Sequence, residues 1–100
     1  MSDFETRLKL EARLVILKAL GEQPNGTLSS SLLEPELQLF GIDRTRAWIH
    51  MQIRHLADLG AVKASEQGTV LVATLTTLGR DHLARRIRLE GVKPPSDPEA

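Results

Sequence analysis

Apolar positions recur at helical spacing from the start of the chain, in two stripes. Leu8, Ala12, Val15, Ile16 and Ala19 form one; Leu10, Leu14 and Leu17 form the other. This spacing predicts a helix over about 3–20, with Ser2 and Glu5 at capping-box distance and Gly21 as its stop. A helix that is apolar nearly all round is buried on most of its sides. In so short a chain the second stripe is expected to meet a partner subunit. The turn cluster Glu22-Gln23-Pro24-Asn25-Gly26 follows, and Thr27-Leu28 reads as a very short strand. Ser29, Ser30 and Ser31 offer N-caps for a second helix carrying Leu32, Leu33, Leu37, Leu39 and Phe40, with Pro35 in its early turns and Gly41 at its end.

Ile42-Asp43-Arg44-Thr45 is a tight connection, and Asp43 or Thr45 caps a third helix running to about Leu59. Its inward positions are Ile49, Ile53 and Leu56, at i, i+4 and i+7, and Gly60 stops it. The pattern then turns β-rich: a strand over 61–66, a turn at Gln67-Gly68 and a second strand over 69–75. Thr76 or Thr77 caps a fourth helix through Leu83 and Ile87, which Gly91 closes. The Pro-rich tail, 92–100, is expected to be disordered. The order helix, short strand, helix, helix, β-hairpin, helix is that of an α+β, mostly α, winged helix-turn-helix domain over 1–91.

Composition narrows the function classes. A length of 100 residues fits one domain, and 41% hydrophobic with 26% charged residues is an ordinary globular balance. With no cysteine there is no disulfide scaffold and no thiolate metal or redox site. No apolar run approaches the ~20 residues of a membrane helix, and the acidic start lacks the features of a signal peptide. A soluble cytoplasmic protein is expected. Thirteen basic residues balance thirteen acidic ones, which argues against nucleic-acid binding by bulk charge. The charge is unevenly placed, however. Residues 1–42 hold four basic and six acidic groups; residues 43–63 hold Arg44, Arg46, Arg54 and Lys63 against Asp43 and Asp58.

Two stretches carry a family resemblance. Ile53-Arg54-His55-Leu56-Ala57-Asp58-Leu59-Gly60-Ala61-Val62 resembles the end of a recognition helix running into a wing. Leu75-Thr76-Thr77-Leu78-Gly79-Arg80-Asp81-His82-Leu83 resembles the Leu-Thr-x-x-Gly segment that leaves the wing in many bacterial winged-helix regulators. The whole chain, including Leu14-Val15-Ile16-Leu17-Lys18-Ala19-Leu20 and Glu90-Gly91-Val92-Lys93, is similar to small winged-helix proteins of Mu-like phages and prophages. The resemblance implies binding to double-stranded DNA and transcriptional regulation of phage genes.

On the third helix the outward face holds Arg44, Ala47, Met51, Arg54 and Asp58, flanked by His50 and His55. Arg44, Arg46, His50 and Arg54 are the candidate major-groove contacts, with Lys63 on the flanking backbone. Arginine suits this role because its fork of donors meets phosphate or a guanine edge in bidentate fashion. The bland alternative is a solvated face with i,i+4 pairing of Arg54 and Asp58. Met51 is apolar in an outward position, and Trp48 reads as a core-edge residue under the second helix. The wing offers only Lys63, and its tip, Glu66-Gln67-Gly68, is slightly acidic. The fourth helix carries Arg80, Arg85, Arg86 and Arg88 against Asp81, a pattern that a helix C-terminus also favours through its dipole. A homodimer is expected through Leu10, Leu14, Leu17, Leu83 and Ile87. His50, His55 and His82 lack metal-ligand spacing. With no nucleophile motif, phosphate loop or cofactor signature, neither catalysis nor a cofactor is expected. The rival reading is a winged-helix protein-interaction module, an assembly or packaging accessory without DNA binding.

Overall fold

A computed structural model describes residues 3–96. Helix α1 (Asp3–Gly21) runs through the middle of the domain. Ala12, Leu14, Val15, Ile16, Leu17, Ala19 and Leu20 on it are all buried. This corrects one expectation: Leu17 is fully buried and Leu14 only 6% exposed, so these two residues of the second stripe meet the chain's own core, and only Leu10 stays half-buried. Helices α2 (Ser30–Leu39), α3 (Arg46–Asp58) and α4 (Thr77–Leu83) and strand β3 (Val70–Leu75) all pack on α1. That is enough to enclose an all-round apolar helix in a small domain.

Local chemistry sets the element ends. The chain leaves α1 through a turn in which Gly26 takes φ +66° and Asn25 Oδ1 accepts the Thr27 N–H at 3.1 Å. Strand β1 (Thr27–Ser29) follows. Ser29 Oγ accepts the Leu32 N–H and starts α2; Thr45 Oγ1 accepts the Trp48 N–H at 3.1 Å and starts α3. Leu33 and Leu37 of α2 and Ile49, Gln52, Ile53 and Leu56 of α3 face the core. Strand β2 (Val62–Gln67) pairs antiparallel with β3, and β1 lies on the other side of β3, giving the order β1-β3-β2. Gln67 pairs with Val70, so the turn is Gly68-Thr69, one residue beyond the expected position. Strand β3, flanked on both sides, alternates buried and half-buried residues; β2 is exposed beyond Val62. The architecture is α+β, a winged helix-turn-helix with β2 and β3 as the wing.

The last helix departs from expectation. α4 ends at Leu83 rather than continuing through Ile87. Arg85 turns the chain with φ +63°, a conformation that a non-glycine residue adopts only where surroundings hold it. Two backbone bonds hold it: the Arg86 and Arg85 N–H groups donate to the Asp81 and His82 carbonyls at 2.9 and 3.1 Å and close the helix as a Schellman motif. The segment beyond is tied down by His82, fully buried. Its Nδ1 accepts the Leu89 N–H at 3.0 Å, and its Nε2 lies 3.0 Å from the Lys93 carbonyl. With Nδ1 accepting, Nε2 carries the proton and donates. Val92 is buried, and the Lys93 amide donates to the Leu10 carbonyl at 3.2 Å while its ammonium meets Glu11 at 2.8 Å. The start of the expected tail therefore packs on α1. Ser2 of the expected capping box and residues 97–100 of that tail lie outside the described residues.

Candidate nucleic-acid interface

Helix α3 divides its surface sharply. Its inward side is apolar except for Gln52, whose Oε1 accepts from Arg13 Nε at 3.0 Å and whose Nε2 donates to the Trp48 carbonyl. Arg13 also donates to the Gly91 carbonyl at 2.8 Å, so one half-buried guanidinium ties α1, α3 and the segment after α4 together. Burial holds Arg13 below its ordinary pKa. The inward position of Gln52 was readable from its i+3 spacing to Ile49; its partner in α1 was not.

Outward, Arg46, His50 and Arg54 stand at i, i+4 and i+8, one row along the helix. Arg46 and Arg54 are exposed and His50 half-buried. His50 Nε2 lies 2.8 Å from Ser30 Oγ, and that buried hydroxyl accepts the Leu71 N–H at 3.1 Å. The first residue of α2 and strand β3 thus hold the imidazole in place. Its pKa is lowered, chiefly by partial burial and then by the charges of Arg46 and Arg54; Glu66 opposes them. Ser30 is a site residue that sequence reasoning noted only as a cap. The other imidazole, His55, faces Arg13 and Gly91 rather than this row. Partial burial lowers its pKa first, with Arg13 adding and Asp58 opposing.

The structure places the remaining candidates differently. Arg44 lies 3.2 Å from Glu5 of α1 and 5.4 Å above the Trp48 ring. The indole N–H donates to the same Glu5 at 3.0 Å. Trp48 is half-buried at the core edge, as expected, and its indole is pinned to the first turn of α1. Arg44 is therefore engaged in fixing the entry to α3. Arg54 Nη2 lies 3.0 Å from Glu66 Oε2 of β2, and not against Asp58, so the acidic wing tip reaches the helix face. Lys63, exposed on β2, has no carboxylate partner among the described residues. Met51 is 60% exposed in the middle of the face.

Of the expected dimer residues, Leu10 and Leu83 are half-buried and Ile87 lies beyond α4, 37% exposed. Arg85, Arg86 and Arg88 sit in that same segment rather than on a helix, and line an open cleft of about 390 Å³ with His82, Ile87, Pro94 and Pro95. Among the described residues no group of His, Cys, Asp and Glu side chains converges as metal ligands would. No described helix is long and apolar enough to cross a membrane.

No family model matches the chain. It is 34% identical over 85 residues to the uncharacterized protein gp26 of Escherichia phage Mu, covering 85% of this chain and 88% of that protein. In three dimensions it resembles the complex structures of hsRosR-S1 and hsRosR-S4, each with TM-score 0.62 and 19% identity. The likeness spans 86% of this chain and 69% and 67% of those chains, and at that identity it speaks to the winged-helix fold alone.

Proposed function

The chain belongs to the family of the phage Mu protein gp26, and we propose that it is a DNA-binding winged-helix regulator of phage or prophage genes. It acts in the cytoplasm of the bacterial host as a homodimer, by binding and without catalysis. The observation that carries this reading is the row Arg46, His50, Arg54 on the exposed side of α3, the helix that this fold lays into the major groove. Arg46 stands at the N-terminal end of α3, where recognition helices meet bases and phosphates. His50 presents a fixed imidazole edge. Arg54 and Lys63 reach the flanking backbone. A two-fold pair would place two such helices on sites about one helical turn apart.

Fluorescence anisotropy of a labelled random-sequence duplex, at low and at physiological salt, tests the reading. Two or three phosphate contacts give a log K against log [salt] slope of about −2 to −3. Arg46→Ala with Arg54→Ala is expected to flatten that slope by at least about 0.9, the loss of one phosphate contact. Unchanged affinity in that variant would remove α3 as the reader. No binding by the native chain at low salt would favour the protein-interaction reading instead, which the exposed Met51 on the same face supports.

A further inference from the structure

Helix α2 is apolar on two sides. Leu33 and Leu37 are fully buried, while Leu32, Leu39 and Phe40 are 57%, 78% and 58% exposed. Leu32, Pro35 and Leu39 follow one another at i, i+3 and i+7, so they share the outer face, and the exposed Phe40 follows as the helix C-cap. Exposed apolar groups gathered on one patch mark an interaction surface. Along the chain, the charge in and around this helix has one sign. No Lys or Arg occurs between Lys18 and Arg44, whereas Glu22, Glu34, Glu36 and Asp43 fall in that interval. Glu34 and Glu36 form no ion pair among the described residues.

The segment after α4 is the converse. Arg85, Arg86, Ile87 and Arg88 are all exposed. Arg86 meets Asp81 at 3.3 Å and Arg85 donates to the Pro95 carbonyl, but Arg88 has no carboxylate partner among the described residues. A basic loop with an apolar centre thus complements an acidic helix with an apolar stripe. Both border α1, which packs against α2 and α4 alike.

We propose that two copies of the chain pair through these surfaces, the outer face of α2 in each lying on the 85–88 loop of the other. Facing α2 with α2 would set Glu34 and Glu36 against their own copies, and facing loop with loop would set arginine against arginine. The exchanged arrangement joins opposite charges twice around one two-fold axis and covers Leu32, Leu39, Phe40 and Ile87. It replaces the expected interface through α1 with one on faces the monomer leaves open. The inference rests on the homodimer of the proposed function and is independent of DNA binding, which anisotropy reads separately.

A charge exchange tests it by sedimentation equilibrium on the full chain. The native chain is expected to dimerise at about 50 mM salt and to dissociate progressively toward about 500 mM, as ion pairs are screened. Glu34→Arg with Glu36→Arg, or Arg86→Glu with Arg88→Glu, is expected to weaken dimerisation about tenfold or more, because each variant sets like charges together on both contacts. Mixing the two variants at equal concentration is expected to restore a pair of one copy of each, since both contacts again join opposite charges. Circular dichroism checks that the surface substitutions leave the fold intact. A native chain that stays monomeric at about 200 µM and low salt, where screening is weakest, overturns the proposal. So does a variant that dimerises as the native chain does, or a mixture that fails to pair. Intact dimerisation without DNA binding would instead sink the DNA reading alone.

Discussion

Glu66→Gln isolates the one contact by which the wing opposes the row on α3. Arg54 and Glu66 meet at 3.0 Å, with side chains 56% and 73% exposed. At that exposure the pair contributes about 0.2–1 kcal/mol to folding, so removing the carboxylate costs the fold less than about 1 kcal/mol. DNA binding gains from the same change twice. The guanidinium no longer has to leave Glu66 to meet a phosphate, which recovers up to about 1 kcal/mol, and the phosphate no longer meets a carboxylate beside it. With about 1.4 kcal/mol per tenfold, Glu66→Gln is expected to tighten DNA binding about two- to tenfold. The salt slope should change by less than about 0.9, because Arg54 meets the same phosphate in both proteins. Because Glu66 raises the His50 pKa, its loss moves that imidazole further toward the neutral form, so the gain does not come from charging His50. Anisotropy across a salt series measures both quantities, and a cycle with Arg54→Ala assigns the cause. An equal gain in the Arg54→Ala background would make the effect one of net charge. No gain in the native background would mean that the pair does not face DNA.

Three further outcomes follow from the packing. His50 and His55 have lowered pKa values, chiefly through partial burial, so near pH 6.5 the folded state binds fewer protons than the unfolded one. Their contribution is present above the unfolded pKa of about 6.5 and is lost as pH falls through the folded values. Urea midpoints should therefore drop from about pH 7.5 to about pH 5.5, and less so in His50→Gln with His55→Gln; equal drops in both proteins would contradict the assignment. At Gly79 a methyl group would run into the Ala61 carbonyl oxygen and the Leu75 side chain, so Gly79→Ala is expected to cost about 2 kcal/mol or more in urea unfolding, and a neutral substitution would refute that contact. His82→Leu strips partners from the Leu89 N–H and the Lys93 carbonyl; about 2–4 kcal/mol and the exchange protection of the Leu89 amide should go together, and retained protection would show that the loop does not hang on His82.

Local chemistry made much of the fold legible. Ser29 and Thr45 cap helices at the expected ends because a hydroxyl beside a free N–H needs nothing distant. The inward set Ile49, Ile53, Leu56 follows from helical spacing alone. What escaped depends on residues far apart in the chain. The second stripe of α1 looked like an interface because nothing local says that α2, α3, α4 and β3 would all close on one helix. Helix α4 looked four residues longer because its end turns on a non-glycine residue, Arg85, and the segment beyond is held by one buried ring reaching Leu89 and Lys93. In the candidate site the row Arg46, His50, Arg54 is visible as i+4 spacing. The partners that hold or oppose it, Ser30 and Glu66, come from other elements, and Arg44 is drawn to Glu5 in the first turn of α1.

A neutral sum of charges does not weigh against DNA binding here, because the charges are segregated rather than interspersed. Between Lys18 and Arg44 every charged residue is acidic, in the turn after α1, on α2 and in the loop before α3; Arg46, Arg54 and Lys63 lie on α3 and the wing. Phosphates respond to the potential within about a Debye length, about 8 Å at physiological salt, and so sense the near face more than the sum. Yet three cations, one of them paired with Glu66, release few counterions, and affinity for DNA of any sequence falls with each contact missing. Under the proposed function, two copies acting together would offset this, the tether between them converting two weak contacts into one stronger one. The acids that make the chain neutral would then have a use of their own, as the half of the dimer contact that answers the arginines after α4.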